Sequence, residues 1–148
     1  MKLPELPYSS KLIELKDEKD KTYIKDIIRK KWLLLTPEEW VRQHFITYLL
    51  LDLSYPASSI AIEKKVEING MPKRFDVLIY HKGSPAILVE CKAPDVNLTI
   101  DVFHQACRYN TVLKAPIAVL TNGLQTITAH VIGDSIQFAK EVPKKEDW

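Results

Sequence analysis

Asp76, Glu90 and Lys92 are the residues of this 148-residue chain whose types and spacing suit chemistry. Asp76 stands near the start of an apolar run, Arg74-Phe75-Asp76-Val77-Leu78-Ile79-Tyr80. Glu90 and Lys92 close a second run, Ala86-Ile87-Leu88-Val89-Glu90-Cys91-Lys92. Buried charge is costly unless paired or metal-bound, so charges at the ends of apolar runs call for partners. Glu90 and Lys92 are two apart and leave the same face of a strand, while Cys91 points the other way with its backbone carbonyl between them. The link His81-Lys82-Gly83-Ser84-Pro85 allows an antiparallel pair that brings Asp76 to the end where Glu90 and Lys92 lie. Two carboxylates plus the Cys91 carbonyl then form a hard-oxygen site suited to Mg2+, with Lys92 beside it to stabilise charge on a phosphate. A metal held there would polarise a phosphoryl group and lower the pKa of a water, which suits phosphodiester hydrolysis. The same residues also read as an ordinary cross-strand ion pair with Glu90 at a solvated strand end. Spacing alone leaves both readings open.

The neighbouring elements must position this cluster. Thr36-Pro37-Glu38-Glu39 reads as a helix start, with Thr36 as N-cap, Pro37 at the first helical position and Glu39 completing a capping box. The helix is predicted to run to about Leu51, with Val41, Phe45, Tyr48 and Leu49 on one buried stripe. Glu38 falls at the top of that stripe. Residues 60–68 read as a strand, and Asn69-Gly70 as a hairpin turn, giving a three-strand meander with 74–80 and 86–92. A second helix is predicted over about 100–113, with Thr99 as N-cap. Gln105 and Tyr109 share its face, either as satisfied core polar groups or as holders of Lys92 or a phosphate. Residues 117–120 read as a buried strand reached by a helical crossover, and 125–131 and 136–138 as edge strands.

Before the first helix, residues 12–15 suggest a short strand, 16–21 a polar turn, and 23–32 an apolar strand or helical turn with a basic end. Arg29-Lys30-Lys31 reads as a solvated face, with phosphate contact as the second reading. The tail 140–148 is charged and expected to fray, except where Trp148 finds a surface. The order helix, three strands, helix, two strands places the chain in the α/β class, with a mixed central β-sheet flanked by α-helices. The length suits one domain over 1–148, with the core over about 23–132.

Composition narrows the function classes. A net charge of +2 implies no uniformly basic surface, although distribution matters more than the sum. No apolar run approaches the ~20 residues a membrane span needs, so no membrane association is expected. The N-terminus lacks a signal-peptide core. The two cysteines, Cys91 and Cys107, show no metal-binding spacing, and none is seen among the four histidines, so zinc is not expected. Both cysteines read as reduced, which fits a cytoplasmic setting.

One ordered set of motifs carries a family resemblance. Arg74-x-Asp76, then Leu88-Val89-Glu90-Cys91-Lys92-Ala93-Pro94, Phe103-x-Gln105-Ala106-x-Arg108-Tyr109-Asn110 and Leu120-Thr121-Asn122-Gly123 resemble the N-terminal nuclease domain of type I restriction enzyme R subunits. Thr36 to Gln43 looks like its first helix. That domain belongs to the PD-(D/E)xK nucleases, in the RecB-like branch with a QxxxY motif. The resemblance implies a restriction-endonuclease-like core and Mg2+-dependent cleavage of DNA, with Mn2+ able to substitute. It implies Asp76 and Glu90 as metal ligands with the Cys91 carbonyl, Lys92 as the catalytic lysine and Glu38 as an acid near the metal or its water. Gln105 and Tyr109 match QxxxY. Phe75 stands where the family pattern has proline. No Walker-type GxxxxGK[ST] loop is present in this chain, so no ATP site is expected. Double-strand cutting needs two sites, which points to a homodimer or to partner subunits. The alternative is a non-catalytic DNA-binding or assembly subunit that keeps the nuclease fold.

Overall fold

The computed structural model describes residues 2–148. Its first elements correct the reading of 16–21 as a polar turn. β1 (Leu15–Glu18) and β2 (Lys21–Lys25) pair antiparallel, and β3 (Trp32–Leu34) adds a third strand. Only Lys19 and Asp20, both at positive φ, separate the first two. These strands are rich in charge because one face is wet. Lys16, Tyr23 and Leu34 are cross-strand neighbours on that face, and Lys16 Nζ lies 4.7 Å from the Trp32 ring centroid. Ile24 faces inward and is fully buried.

α1 (Pro37–Leu51) begins where the sequence predicts. The Thr36 hydroxyl accepts from the Glu39 N–H at 3.1 Å, and Pro37 opens the helix. Val41, Phe45 and Leu49 are fully buried on its inner stripe. The two glutamates exchange their expected roles. Glu38 is exposed and Glu39 is buried. Instead of completing a capping box, the Glu39 carboxylate turns inward to Arg42 and Gln43.

β4 (Ile60–Ile68), β5 (Met71–His81) and β6 (Ser84–Cys91) form the predicted meander. Asn69 and Gly70, at φ 53° and 76°, make its first two-residue link. Lys82 and Gly83 make the second, at φ 50° and 80°, tighter than the five-residue link read from sequence. Both links have the paired positive φ of hairpin turns. α2 (Ile100–Cys107) and α3 (Asn110–Leu113) then cross to β7 (Ile117–Thr121), which lies parallel to β6. β8 (Thr126–Ile132) and β9 (Ser135–Ala139) follow antiparallel, giving a six-stranded mixed sheet in the order β4-β5-β6-β7-β8-β9.

The single helix expected over 100–113 is broken at Arg108 and Tyr109. Asn110 marks the break. Its side-chain amide donates to the Ala115 carbonyl at 2.9 Å and its side-chain oxygen accepts from the Ala115 N–H at 3.1 Å. This bracket fixes the turn into β7.

The central sheet is covered on both faces, which explains the nearly continuous apolar runs of β6 and β7. On one face Val41, Phe45 and Leu49 of α1 pack on Val77, Ile79, Ile87 and Val89. On the other, Phe75, Leu78 and Leu88 meet Cys107, Tyr109, Leu113 and Ala115. Phe103 of α2 packs on Ala118, Leu120 and Ala129.

The C-terminal segment is docked rather than frayed, and Trp148 does find a surface. Val142 is buried, the Lys145 N–H donates to the Leu53 carbonyl at 2.8 Å, and the Trp148 indole donates to the Tyr55 hydroxyl at 2.8 Å. Among the described residues no helix is long and apolar enough to cross a membrane.

Candidate active site at a strand fork

β5 and β6 stay paired as far as Val77↔Val89. Beyond that point β5 continues with β4, through Lys64↔Phe75 to Ile68↔Met71, while β6 continues with β7 to Cys91↔Thr121. The strands therefore part at Asp76 and Glu90, the next residues on each. Backbone groups freed by such a fork need partners. The Cys91 N–H finds one in the Asp76 carboxylate, donating to Oδ2 at 2.8 Å, and the Lys92 N–H donates to the Thr121 carbonyl at 2.8 Å.

The fork brings the two predicted acids together. Burial pushes the Glu90 carboxyl far above the usual carboxylate range, and the adjacent Asp76 charge and a hydrogen bond with Asp76 push it further, while the charge of Lys92 pulls back. An acid held protonated by its neighbour is the signature of two carboxylates sharing one site. Burial likewise raises the Cys91 thiol, with Asp76 adding to it. It raises Cys107 to about 12, with Glu90 adding to it, which places Glu90 on the α2 side of the sheet. Both thiols are free.

Sequence reasoning missed the cations that balance Asp76 from the other side. Arg42 of α1 is buried. Its Nη1 lies 3.5 Å from Asp76 Oδ1, its Nη2 donates to Glu63 at 2.9 Å, and it also pairs with Glu39. Glu63 accepts from Arg29 at 3.3 Å, and Arg29 Nε donates to the fully buried Asp26 at 2.9 Å. Burial opposes the charged form of Glu63, but the hydrogen bond and charge of Arg42, joined by Arg29, hold its pKa below the usual value. Arg29 is thus a member of this network, whereas Lys30 and Lys31 of the same basic run are exposed. A backbone irregularity aims Glu63 there. Glu63 has φ 49°, and at this level the strand pair changes faces: Val77 packs under α1 and Phe75 in the opposite layer. The one available signal was Arg42 itself, the only lysine or arginine in α1.

The remaining predicted residues are placed less centrally. Glu38 stands exposed in the first turn of α1, yet its charge is felt at the Cys91 thiol. Among the described residues no group of three or more His, Cys, Asp or Glu side chains gathers as a metal cluster, so Glu38 does not join Asp76 and Glu90 as a third side chain. Gln105 is exposed and Tyr109 half-buried, which removes the reading of both as buried core polar groups. Arg108 bridges them, donating to Gln105 Oε1 and to the Tyr109 hydroxyl, each at 3.1 Å. The hydrogen bond from Arg108, with Lys73 beside it, holds the Tyr109 phenol below its usual pKa. Lys73 Nζ lies 5.0 Å from the Tyr109 ring centroid. A cavity of about 650 Å3 lies between α2–α3 and β7–β9 and is lined in part by Phe103, His104, Cys107, Arg108, Lys114 and Ile136.

A mixed sheet between helices, with a forked strand pair presenting converging acids and a lysine, defines the restriction-endonuclease-like class of nuclease-related domains. Comparison with protein families places the chain within that class: the family described as type I restriction enzyme R protein N terminus (HSDR_N) matches residues 37–143, and the chain belongs to it. A comparison with curated proteins gives no significant match.

Proposed function

We propose that this protein is a metal-dependent nuclease that hydrolyses DNA phosphodiester bonds at the fork. The observation that carries the reading is the strand fork that sets the Asp76 and Glu90 carboxyls side by side, with the Cys91 N–H bonded to Asp76; burial, and after it the Asp76 charge, favours the protonated form of Glu90. Such a donor pair is short of positive charge, and one guanidinium contact at 3.5 Å supplies only part of it. Asp76, Glu90 and the Cys91 carbonyl fit a hard divalent cation, Mg2+ or Mn2+. When bound, the ion supplies Lewis-acid polarisation of the phosphoryl group.

The chain's own residues supply position and field. The Cys91 N–H and Arg42 fix the two oxygens of Asp76, so that carboxylate is preorganised rather than recruited. Lys92, two residues beyond Glu90 on the same face, offers its ammonium to a phosphate oxygen as charge builds there. Gln105 and Tyr109, yoked by Arg108, form a polar face on the α2 side that can orient the strand to be cut. Glu38 adds an acid at the outer rim. Two sites are needed to cut both strands, so the active species is a homodimer or works with partner subunits. The reading includes a cytoplasmic setting, with both thiols free.

Purified protein given Mg2+ or Mn2+ should nick or cut DNA. Lys92→Ala should abolish cleavage while its circular dichroism and unfolding midpoint stay at wild-type values. Undiminished cleavage by Lys92→Ala would place the chemistry elsewhere. Calorimetry showing no binding of either ion at millimolar concentration would instead favour a DNA-binding or assembly subunit that keeps the fold.

A further inference from the structure

The strand pair that continues past the fork is more than scaffolding. Beyond Val77, β5 has only β4 as a partner, so residues 64–68 and 71–75 form a two-stranded ribbon. At roughly 3.3 Å per residue it reaches about 16 Å past the carboxylates. It carries four cations, Lys64, Lys65, Lys73 and Arg74, against one acid, Glu67. Among the described residues none of the four is within salt-bridge distance of a carboxylate. Lys65 and Arg74 are direct cross-strand partners, an arrangement that costs a strand pair stability. The ribbon is nevertheless firmly rooted, since Ile68 and Phe75 are buried in the α2–α3 layer.

The cations occupy both faces. Lys64 and Lys73 share the face of Phe75, where Lys73 approaches the Tyr109 ring and, through it, Arg108. Lys65 and Arg74 take the opposite face. The Phe75 face is seated against α2–α3, but each strand carries two of the four cations, Lys64 and Lys65 on β4 and Lys73 and Arg74 on β5, so charge runs along both edges of the ribbon. A two-stranded ribbon fits the major groove of a duplex, whose walls are phosphate on both sides. We propose that this ribbon is a duplex-DNA grip that binds backbone phosphates on either side of a groove next to the fork. The inference rests on the reading of the fork as a DNA-cutting site, and it is tested without cutting.

A fluorescein-labelled 30-base-pair duplex is titrated in EDTA, and anisotropy is read at several KCl concentrations. Each phosphate contact adds about 0.9 to the slope of log K against log salt. Lys65→Ala/Arg74→Ala and Lys64→Ala/Lys73→Ala should each lower that slope by about 2 and weaken binding by about tenfold or more. Lys140→Ala/Lys144→Ala, at exposed positions outside the ribbon, should change neither. Wild-type slope in both ribbon variants, equal loss in the Lys140/Lys144 control, tighter ribbon-dependent binding of the single strand, or no duplex binding by the wild type would each overturn the proposal. Circular dichroism of every variant excludes misfolding as the cause of a loss. Failure of the nuclease reading looks different: the duplex binds through the ribbon, but Mg2+ and Mn2+ bring no cleavage.

Discussion

Glu90→Gln should make the metal-free protein more stable, and increasingly so as pH rises. Gln mimics the protonated carboxyl that burial and Asp76 impose on Glu90. In the wild type, the native state keeps a proton that the unfolded chain releases above the ordinary value of 4.5. Native protons then exceed unfolded ones, so stability falls with rising pH from that value up to the raised native pKa. The largest slope for one proton is about 1.4 kcal/mol per pH unit. Between pH 6 and 8 the variant should therefore gain about 2.7 kcal/mol on the wild type, or roughly 5–10 °C in melting temperature for a domain of this size. The assay is urea unfolding followed by tryptophan fluorescence, in EDTA, at half-unit pH steps. If Glu90 is the metal ligand proposed above, saturating Mg2+ should reverse the order, because Gln is a poor substitute for an ionised carboxylate. Parallel stability curves for the two proteins across pH 6–8 in EDTA would refute the argument that the native state keeps a proton on Glu90 beside Asp76.

Arg42→Met should cost about 3–5 kcal/mol, because it leaves Glu39 and Glu63 and one oxygen of Asp76 short of a buried cation; urea midpoints measure it, and a loss below about 1 kcal/mol would show that the network is not structural. Asn110→Ala removes both halves of the bracket to Ala115 and should cost about 1–3 kcal/mol, with hydrogen exchange rising first in α3. Arg108→Ala should raise the Tyr109 titration toward that of a free phenol, since the hydrogen bond from Arg108 is the main influence holding it down. Labelled-tyrosine NMR against Tyr109→Phe reads this directly, and an unshifted resonance would break the link between Gln105, Arg108 and Tyr109.

The parts of the molecule legible in the sequence are those whose signals are local. Thr36-Pro37 sets the start of α1, Asn69-Gly70 sets the first hairpin, and the apolar runs of β5 and β6 leave Asp76 and Glu90 as neighbours once the register is antiparallel. What could not be read depends on distant partners. β1 and β2 carry so many charges on their wet face that Ile24 alone reports an interior, and one residue makes no period. Glu39 and Glu38 are equivalent in sequence, and only Arg42 and Gln43 decide which turns inward. Arg42 belongs to the site because Glu63 and Asp76 come to it from two other strands. The end of α2 has neither glycine nor proline to announce it, and the turn out of α3 is made by an Asn side chain five residues from its partner Ala115.

The docking of the C-terminal segment has a practical geometric consequence. Lys145 and Trp148 are tied to Leu53 and Tyr55, just past the end of α1, and the Trp148 ring lies 5.2 Å from His81 beside the β5–β6 turn. Arg42 and Asp76 meet about midway along the same helix and strand. Asp76 and Lys82 are six steps apart along the strand, about 20 Å. A surface linker, an optical-trap handle or a dye joined at Trp148 therefore starts about that far from the carboxylates. Force applied there would peel Trp148 from Tyr55 before it reached the fork, so the protein can be tethered by its tail with that site left open.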